Sequence, residues 1–276
     1  MCKRWKRVHG LSRCPICGKP DWCLVAPDRS AAICPRIEEG SSRFIEGSGY
    51  LHILKVTDQW MDEEYHPKGG HTQLPEHNEV LAILARKWIL ESSLGNVEEM
   101  ACKLGVSDDS LRQLNVGWFA GKSAWTFPML RQGRRLIGVR LRPRNGKKFA
   151  VKGSKNGLFV PNNLPDTGVV YVCEGESDTA AMLTCGLPAI GRPSCNSGDR
   201  LVLELCKNRP VVVCSDRDGV GRKGAKGLVD LIRVNSGDVT MMTPPERYKD
   251  IREWLHGEGK EKVHSASQRV FEEAWG

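Results

Sequence analysis

Long apolar runs and a secretion signal are both missing from this chain. No stretch reaches the roughly 18 consecutive apolar residues that a membrane-spanning helix needs. The first ten residues, MCKRWKRVHG, are basic and contain no apolar core of the kind that a signal peptide carries. The chain nevertheless has 11 cysteines, which without a secretion signal indicate metal ligands or buried thiols in a reducing compartment. We therefore expect a cytoplasmic protein with no membrane partner.

Acidic residues are absent from residue 110 to residue 165, an interval that holds twelve lysines and arginines. A segment with charge of one sign attracts phosphate backbones. A basic surface without a specific partner has the same composition. The pattern favours a nucleic-acid partner, and the formal net charge of +8 for the whole chain agrees with it.

A convincing nucleotide-binding loop is also lacking. Residues 117–123 resemble a P-loop but are one residue short and follow no clear strand, so we expect no ATPase motor. Residues 219–224 satisfy G-x-G-x-x-G between a predicted strand and a predicted helix, which is the dinucleotide-binding fingerprint. That fingerprint normally opens its fold, and two aspartates directly ahead of a phosphate would repel it. We therefore favour another role for these glycines.

The most informative stretch that is present, residues 169–228, holds two short apolar runs that each end in acidic residues. The first run precedes Glu174 and Asp178, and the second precedes Asp216 and Asp218. Such runs predict buried parallel strands, and ligands bind outside the carboxyl ends of strands in open α/β sheets. Crowded carboxylates need a counter-charge, and Mg²⁺ prefers carboxylate and water oxygens. The sequence predicts a Mg²⁺ site here; the alternative is carboxylates that merely face solvent at strand ends.

Cysteines near the N-terminus have the spacing of metal ligands. Cys14-Pro-Ile-Cys17-Gly is the usual knuckle of a zinc ribbon, and Cys23 and Cys34 would complete a tetrahedral Zn²⁺ site. A second knuckle is absent, so His9 is the substitute if Cys23 is not a ligand. A segment this short could hardly fold without its metal. Its aromatic and basic side chains suit either base stacking with phosphate contact or a modest core; they are Trp5, Lys6, Arg7, Trp22, Arg29 and Arg36.

The remaining pattern divides an α/β (overall α+β) chain into five parts. We expect a zinc ribbon over residues 1–40, a linker over 41–75 with extended pieces near 50–56, and a basic mixed α/β subdomain over 76–165. A Rossmann-like parallel sheet with helices on both faces should occupy 166–255, and one helix should occupy 256–276. Residues 97–114 form a helical hairpin in which Ser107 is a plausible N-cap. Its second helix begins with acidic residues, which favours packing over DNA recognition.

Two motifs in this order resemble the Toprim domain, which primases, topoisomerases, some nucleases and recombination mediators share. They are Glu174-Gly-Glu-Ser-Asp178 and Asp216-Arg-Asp218-Gly219. The order of zinc ribbon, basic segment and Toprim motifs is similar to the catalytic region of bacterial and phage DNA primases. That resemblance implies de novo synthesis of primers on a single-stranded DNA template from nucleoside triphosphates, by Mg²⁺-dependent nucleotidyl transfer. It also implies a nucleoid-associated protein with a replicative helicase in trans, and the absence of a motor fits a phage or mobile element.

Residue roles follow from the same resemblance. Asp216 and Asp218 would hold Mg²⁺ or Mn²⁺, with Glu174 as the general base or a further ligand. Asp178 and Asp250 would complete the acidic set; Asp250 follows Tyr248-Lys249 as in the family's Lys-Asp step. The basic residues that would grip template and triphosphate are Lys148, Lys152, Lys155, Arg140 and Arg142. The zinc ribbon would read the template start site.

Two other classes of function share these modules, a non-catalytic clamp and Toprim cleavage by a nuclease or a topoisomerase. A non-catalytic clamp of the recombination-mediator type also joins a zinc module to a Toprim domain, but the two lie much closer in sequence. A Toprim nuclease normally carries an ATPase, which is missing here. A topoisomerase needs a nucleophilic tyrosine and a longer chain, and the four tyrosines offer no obvious candidate. The full acidic set favours chemistry over clamping.

Overall fold

The computed structural model describes residues 5–9, 12–27, 30–45, 48–54, 78–235 and 237–276. The chain divides into two compact units, residues 1–71 with 230–236 and residues 72–229 with 237–276. Most of the expected linker (41–75), from residue 55 onward, lies outside the described residues. A mixed α/β architecture with a parallel sheet is confirmed.

The smaller unit contains one antiparallel sheet of short strands. In the described part these are β1 (Lys6–Arg7), β2 (Leu24–Val25), β3 (Ala31–Cys34), β4 (Arg43–Ile45) and β5 (Gly49–Ile53), in the order β1-β2-β3-β5-β4. Among the described residues, only four side chains, Ala26, Ala31, Ile33 and Leu51, are buried in its apolar cluster beside the cysteines. So little buried apolar area makes the unit dependent on a metal or another cross-link.

Strands β4 and β5 lie in the interval 41–75, for which the sequence predicted a linker with extended pieces. β5 pairs antiparallel with β3, so that Ala31 lies opposite Ile53 and Cys34 lies opposite Tyr50. The sheet therefore extends to residue 53, because Leu51 and its neighbours complete a core that β3 cannot bury alone.

Three helices open the larger unit: α1 (Glu79–Leu90), α2 (Leu94–Leu104) and α3 (Asp108–Gln113). Ser93 and Asn96 form a capping box at the start of α2, and Ser107 accepts a hydrogen bond from the Ser110 backbone at the start of α3. The predicted N-cap at Ser107 is thus confirmed. Leu104 and Leu111 are buried in the main core, so the α2–α3 hairpin packs against the protein as predicted.

A second antiparallel sheet follows, formed by β6 (Gly117–Phe119), β7 (Ala124–Arg131), β8 (Arg135–Pro143) and β9 (Phe149–Ala150), in that order. It carries the basic segment. β7 is buried along nearly its whole length, whereas β9 is exposed. Gly133 (φ 72°) and Arg134 (φ 55°) are both left-handed in the turn between β7 and β8, a conformation that glycine adopts without strain.

The parallel sheet has the order β11-β10-β12-β13. Its strands and helices alternate along the chain as β10 (Val170–Glu174), α4 (Gly175–Thr184), β11 (Ala189–Arg192), α5 (Asp199–Leu205), β12 (Val211–Cys214), α6 (Gly219–Val234), β13 (Val239–Met242), α7 (Ile251–Glu258) and α8 (Lys260–Trp275). β10 and β12, the two strands predicted from acidic endings, are direct neighbours. No helix in the described part of the chain is long and apolar enough to cross a membrane.

Candidate active site and metal centre

The predicted acidic residues occupy one end of the parallel sheet. Glu174 is the last residue of β10, and Asp178 lies in the first turn of the helix that follows. Asp216 and Asp218 lie in the connection between β12 and α6. Since β10 and β12 are paired in parallel, their carboxyl ends meet at the same edge of the sheet. Asp250, the N-cap of α7, completes the set.

Electrostatics show that these carboxylates interact. Burial, reinforced by the charges of Asp250 and Asp216, raises the pKa of Asp178 to about 8. Burial raises the pKa of Asp216 to about 7, with Glu174, Asp250 and Asp218 adding to it and Lys249 opposing it. Like charges in one partly desolvated volume disfavour ionisation of their neighbours. The cluster is therefore poised to accept positive charge.

Hydrogen bonds already engage part of the cluster. Asp178 accepts the Arg252 backbone N–H at 3.0 Å, and Asp250 accepts the Glu253 backbone N–H at 2.8 Å. Asp218 accepts the Gly221 N–H at 2.7 Å; this bond is the main reason that its pKa is lowered, and Lys249 adds to the effect from 3.7 Å. Three of the five carboxylates thus each use one oxygen to accept a hydrogen bond from a backbone N–H at a helix N-terminus.

Among the described residues, the carboxylates do not form a group of three or more ligands close enough to share one metal ion. Mg²⁺ is typically held by one or two carboxylates together with waters and substrate phosphates. The arrangement is consistent with that mode and inconsistent with a closed, all-protein cage.

The larger unit also brings two predicted cations to an unassigned carboxylate. Lys148 and Arg142 contact the same Glu176 oxygen at 2.6 and 3.1 Å, and the Glu176 side chain is only 3% exposed. Burial alone would raise the pKa of Glu176, but Lys148, hydrogen bonds and Arg142 outweigh it and hold that pKa below its usual value. The two cations thus lie at α4, next to the acidic cluster.

The other predicted cations lie elsewhere on the basic segment. Lys152 and Lys155 are exposed after β9. Arg140 is half-buried on β8, and its Nε has no hydrogen-bond partner among the described residues.

Glycines of the G-x-G-x-x-G segment have a packing role. A Cβ on Gly221 would lie 2.6 Å from the Asp216 Cβ, and one on Gly224 would lie 2.6 Å from the Cys195 Cβ. Gly221 therefore lets α6 approach the acidic loop, and Gly224 lets it approach the connection between β11 and α5 that contains Cys195. Gly219 faces open space and has no such constraint. Close packing explains two of the three glycines without a dinucleotide.

The smaller unit gathers the four predicted cysteines. The sulfurs of Cys14, Cys17, Cys23 and Cys34 all lie within 4.8 Å of one another, which fits a tetrahedral Zn²⁺ site. Cys23 belongs to the cluster, with its Sγ 3.6 Å from Cys17 and 3.9 Å from Cys34. His9, the substitute considered from the sequence, is exposed and outside the cluster.

A cation covers the more exposed side of this cluster. Arg36 donates from Nη1 to Cys23 Sγ at 3.4 Å and to Cys17 Sγ at 3.7 Å, and its Nη2 pairs with Asp21 at 2.7 Å. Burial would raise the pKa of Cys17, but the Lys19 N–H, Cys23, Cys14 and Arg36 together lower it to about 7. A thiol that ionises near neutral pH is ready to bind metal.

Comparisons with known proteins find no relative by sequence but find similar structures. Neither a protein-family model nor a curated protein matches the chain. A DnaG catalytic core superposes with a TM-score of 0.55 at 16% identity, over 70% of this chain and 79% of that one. The Aquifex aeolicus primase, with its zinc-binding and RNA polymerase domains, gives 0.54 at 16% identity over 98% of this chain and 80% of that one.

The primase fragment of the bacteriophage T7 primase-helicase gives a TM-score of 0.50 at 16% identity, over 95% of this chain and 99% of that one. The chain has a primase fold. At this identity the likeness concerns fold, and it confirms at that level the resemblance inferred from the acidic motifs and the cysteine knuckle.

Three residues of the primase fold make contacts that the sequence did not predict. Glu176 is part of the acidic motif, but only the structure reveals that it faces two cations. Lys249 approaches Asp218, and Arg36, expected only as a phosphate contact or a core residue, approaches two cysteines. The position of Arg36 two residues after the last cysteine is the one sequence signal for this contact.

Proposed function

We propose that this protein is a DNA primase that makes short primers de novo on single-stranded DNA. The observation that carries the proposal is the cluster of interacting carboxylates at the carboxyl edge of β10 and β12, on a primase fold. The raised pKa values of Asp178 and Asp216 support a positively charged ligand at this edge. The residue pattern and the parallel sheet together support a Toprim domain.

The donor set fits Mg²⁺ or Mn²⁺, because it consists of carboxylate oxygens and leaves room for waters and phosphates. Asp216 and Asp218 would hold the ion, and Glu174 would be a further ligand or the base that takes a proton from the attacking hydroxyl. When bound, the metal would neutralise charge on the transferring phosphoryl group. Asp178 and Asp250 would complete the metal shell, and each already accepts a backbone N–H from the first turn of α7.

Basic residues are proposed to hold the template and the triphosphate. Lys148 and Arg142 are anchored by Glu176 beside the cluster, and Lys152 and Lys155 are free to reach a phosphate backbone. Arg140 would add charge behind them. A solved DnaG primase catalytic domain with the same fold is bound to single-stranded DNA, which supports the choice of template.

The remaining parts are assigned by the same reasoning. The zinc-bearing unit is proposed to read the template start site, and the part of the predicted 41–75 linker that follows β5 is proposed to connect it to the rest of the chain. Residues 166–255 would form the Toprim domain, preceded by the basic subdomain and followed by a tail that contains α8. A replicative helicase is proposed as a partner in trans.

Synthesis without a primer tests the proposal. The purified protein is incubated with single-stranded DNA, Mg²⁺ and labelled nucleotides, and products are separated on a denaturing gel. Short oligonucleotides that require both Mg²⁺ and template are the expected result. DNA binding without any product, with or without added helicase, would point to a clamp, and degraded template would point to a nuclease.

A further inference from the structure

Trp22 has an unusual combination of backbone conformation and exposure. Its φ is 64°, in the left-handed region, and 67% of the residue is exposed to solvent. This conformation is strained for a bulky residue because Cβ crowds the backbone, whereas glycine adopts it freely. A large aromatic side chain held this way contributes little to the core of its own unit. Strain of this kind is concentrated at functional sites.

The charge around Trp22 is positive. The Arg7 guanidinium lies 5.9 Å from the centroid of the Trp22 ring, within range of a cation–π contact. No carboxylate among the described residues pairs with Arg7. The acidic neighbour Asp21 is neutralised by Arg36 at 2.7 Å. Residues 1–36 carry eight lysines and arginines against two aspartates.

An exposed aromatic ring beside a cation that pairs with no described carboxylate has the chemistry of a single-strand binding site. Bases stack on aromatic side chains, and neighbouring cations contact the phosphates. An acidic protein partner would use the cations equally well but would gain less from a flat, exposed ring. The combination therefore favours nucleic acid.

We propose that Trp22 and Arg7 form a base-stacking site for single-stranded DNA on the zinc-bearing unit. The indole stacks on one base, and the guanidinium contacts an adjacent phosphate. The choice of DNA as ligand rests on the proposed function, but the site is defined by residues remote in sequence from the acidic cluster.

Binding of base-containing and abasic DNA tests this site. Fluorescence anisotropy compares a labelled single-stranded oligonucleotide with one of equal length whose central bases are abasic, without Mg²⁺ or nucleotides. Trp22→Ala should weaken binding of the intact oligonucleotide about tenfold, the scale of one stacked base, and barely change binding of the abasic one. Trp22→Phe should keep most of the wild-type affinity for the intact oligonucleotide. Arg7→Ala should weaken both oligonucleotides alike.

Two controls separate stacking from misfolding. Phe44→Ala removes another exposed aromatic of the same unit, 58% exposed, and should leave affinity unchanged. Trp22→Gly should have the zinc content of the wild type and release zinc at the same or a higher temperature, because glycine relieves the left-handed strain. Its affinity for the intact oligonucleotide should nevertheless fall. An equal loss on both oligonucleotides, or no loss, for Trp22→Ala would overturn the inference. Since the assay needs no synthesis, failure of the primase proposal would leave this result intact.

Discussion

Lys148 Nζ lies 2.6 Å from Glu176 Oε1, and this buried carboxylate is also 3.1 Å from Arg142. The contact ties the basic hairpin after β8 to the helix that carries Asp178. Removal of the Glu176 charge would leave Lys148 and Arg142 without this partner in a partly desolvated site.

Glu176→Gln should therefore lower the free energy of unfolding by about 2 kcal/mol at neutral pH. Because the pKa of Glu176 is lowered in the folded protein, its contribution is present above the unfolded-state pKa and is lost as pH falls through the folded one. Urea unfolding at several pH values measures this. The difference from wild type should shrink below about pH 4. Lys147→Ala, beside Lys148, is the control, and a matching loss there would contradict the assignment.

The effect of Asp178 on the stability of the metal-free protein should depend on pH in the direction opposite to that of Glu176. Its pKa is raised to about 8, so the folded state favours the protonated form, and its stability falls as pH rises from the unfolded value towards the folded one. Asp178→Asn keeps an acceptor for the Arg252 N–H but cannot ionise. In Mg²⁺-free buffer the variant should therefore gain stability over wild type more at about pH 8 than at about pH 5.

Thermal unfolding at both pH values provides the measurement for Asp178. Asp109→Asn, on the exposed side of α3, should show no such difference between the two conditions. A constant offset for Asp178→Asn at both pH values would rule out the proposed ionisation.

Asp216→Asn should abolish Mg²⁺-dependent primer synthesis while leaving single-stranded DNA binding within a few-fold of wild type. The reason is that the change removes a metal ligand but no cation. Asp166→Asn, an exposed carboxylate just before β10, should retain synthesis. Normal synthesis by the Asp216 variant would remove this residue from the active site.

Two glycines at the start of α6 should respond oppositely to alanine. Gly221→Ala would place a Cβ 2.6 Å from the Asp216 Cβ and should both destabilise the protein and disturb the acidic cluster. Gly219→Ala meets nothing within 4 Å and should be neutral or stabilising, by up to about 1 kcal/mol. The unfolding temperature and Mg²⁺ binding are measured for both variants. Equal values for the Gly219 and Gly221 variants would contradict the packing role of Gly221.

Arg36→Met should accelerate loss of zinc from the four-cysteine site. The guanidinium donates to two of the four sulfurs, so it offsets the negative charge of a tetrathiolate centre. Transfer of zinc to a chromogenic chelator gives the rate. Arg13→Met, which removes only a bond to the Gly18 carbonyl at 3.3 Å, should release zinc as wild type does. Identical rates for the two variants would exclude a role for Arg36.

Sequence reasoning located the acidic edge because β-branched runs followed by carboxylates have a direct structural meaning. It found the cysteines because a Cys-x-x-Cys knuckle is local. It did not find the partner of Lys148, since a contact between residues 28 positions apart depends on how a hairpin packs against a helix. β4 and β5 were assigned to a linker for a similar reason. The sequence predicted extended pieces near residues 50–56, but the place of β4 and β5 in a sheet depends on the pairing of β5 with β3.

Asp178 accepts its hydrogen bond from the backbone amide of Arg252, while Asp250 caps the same helix turn. The amide proton of Arg252 is consequently a natural observer of the acidic edge. When a cation draws Asp178 away, this one proton should exchange with solvent faster. A single backbone resonance of α7 would thus report the occupancy of a site to which Asp178, 74 residues earlier in the chain, belongs.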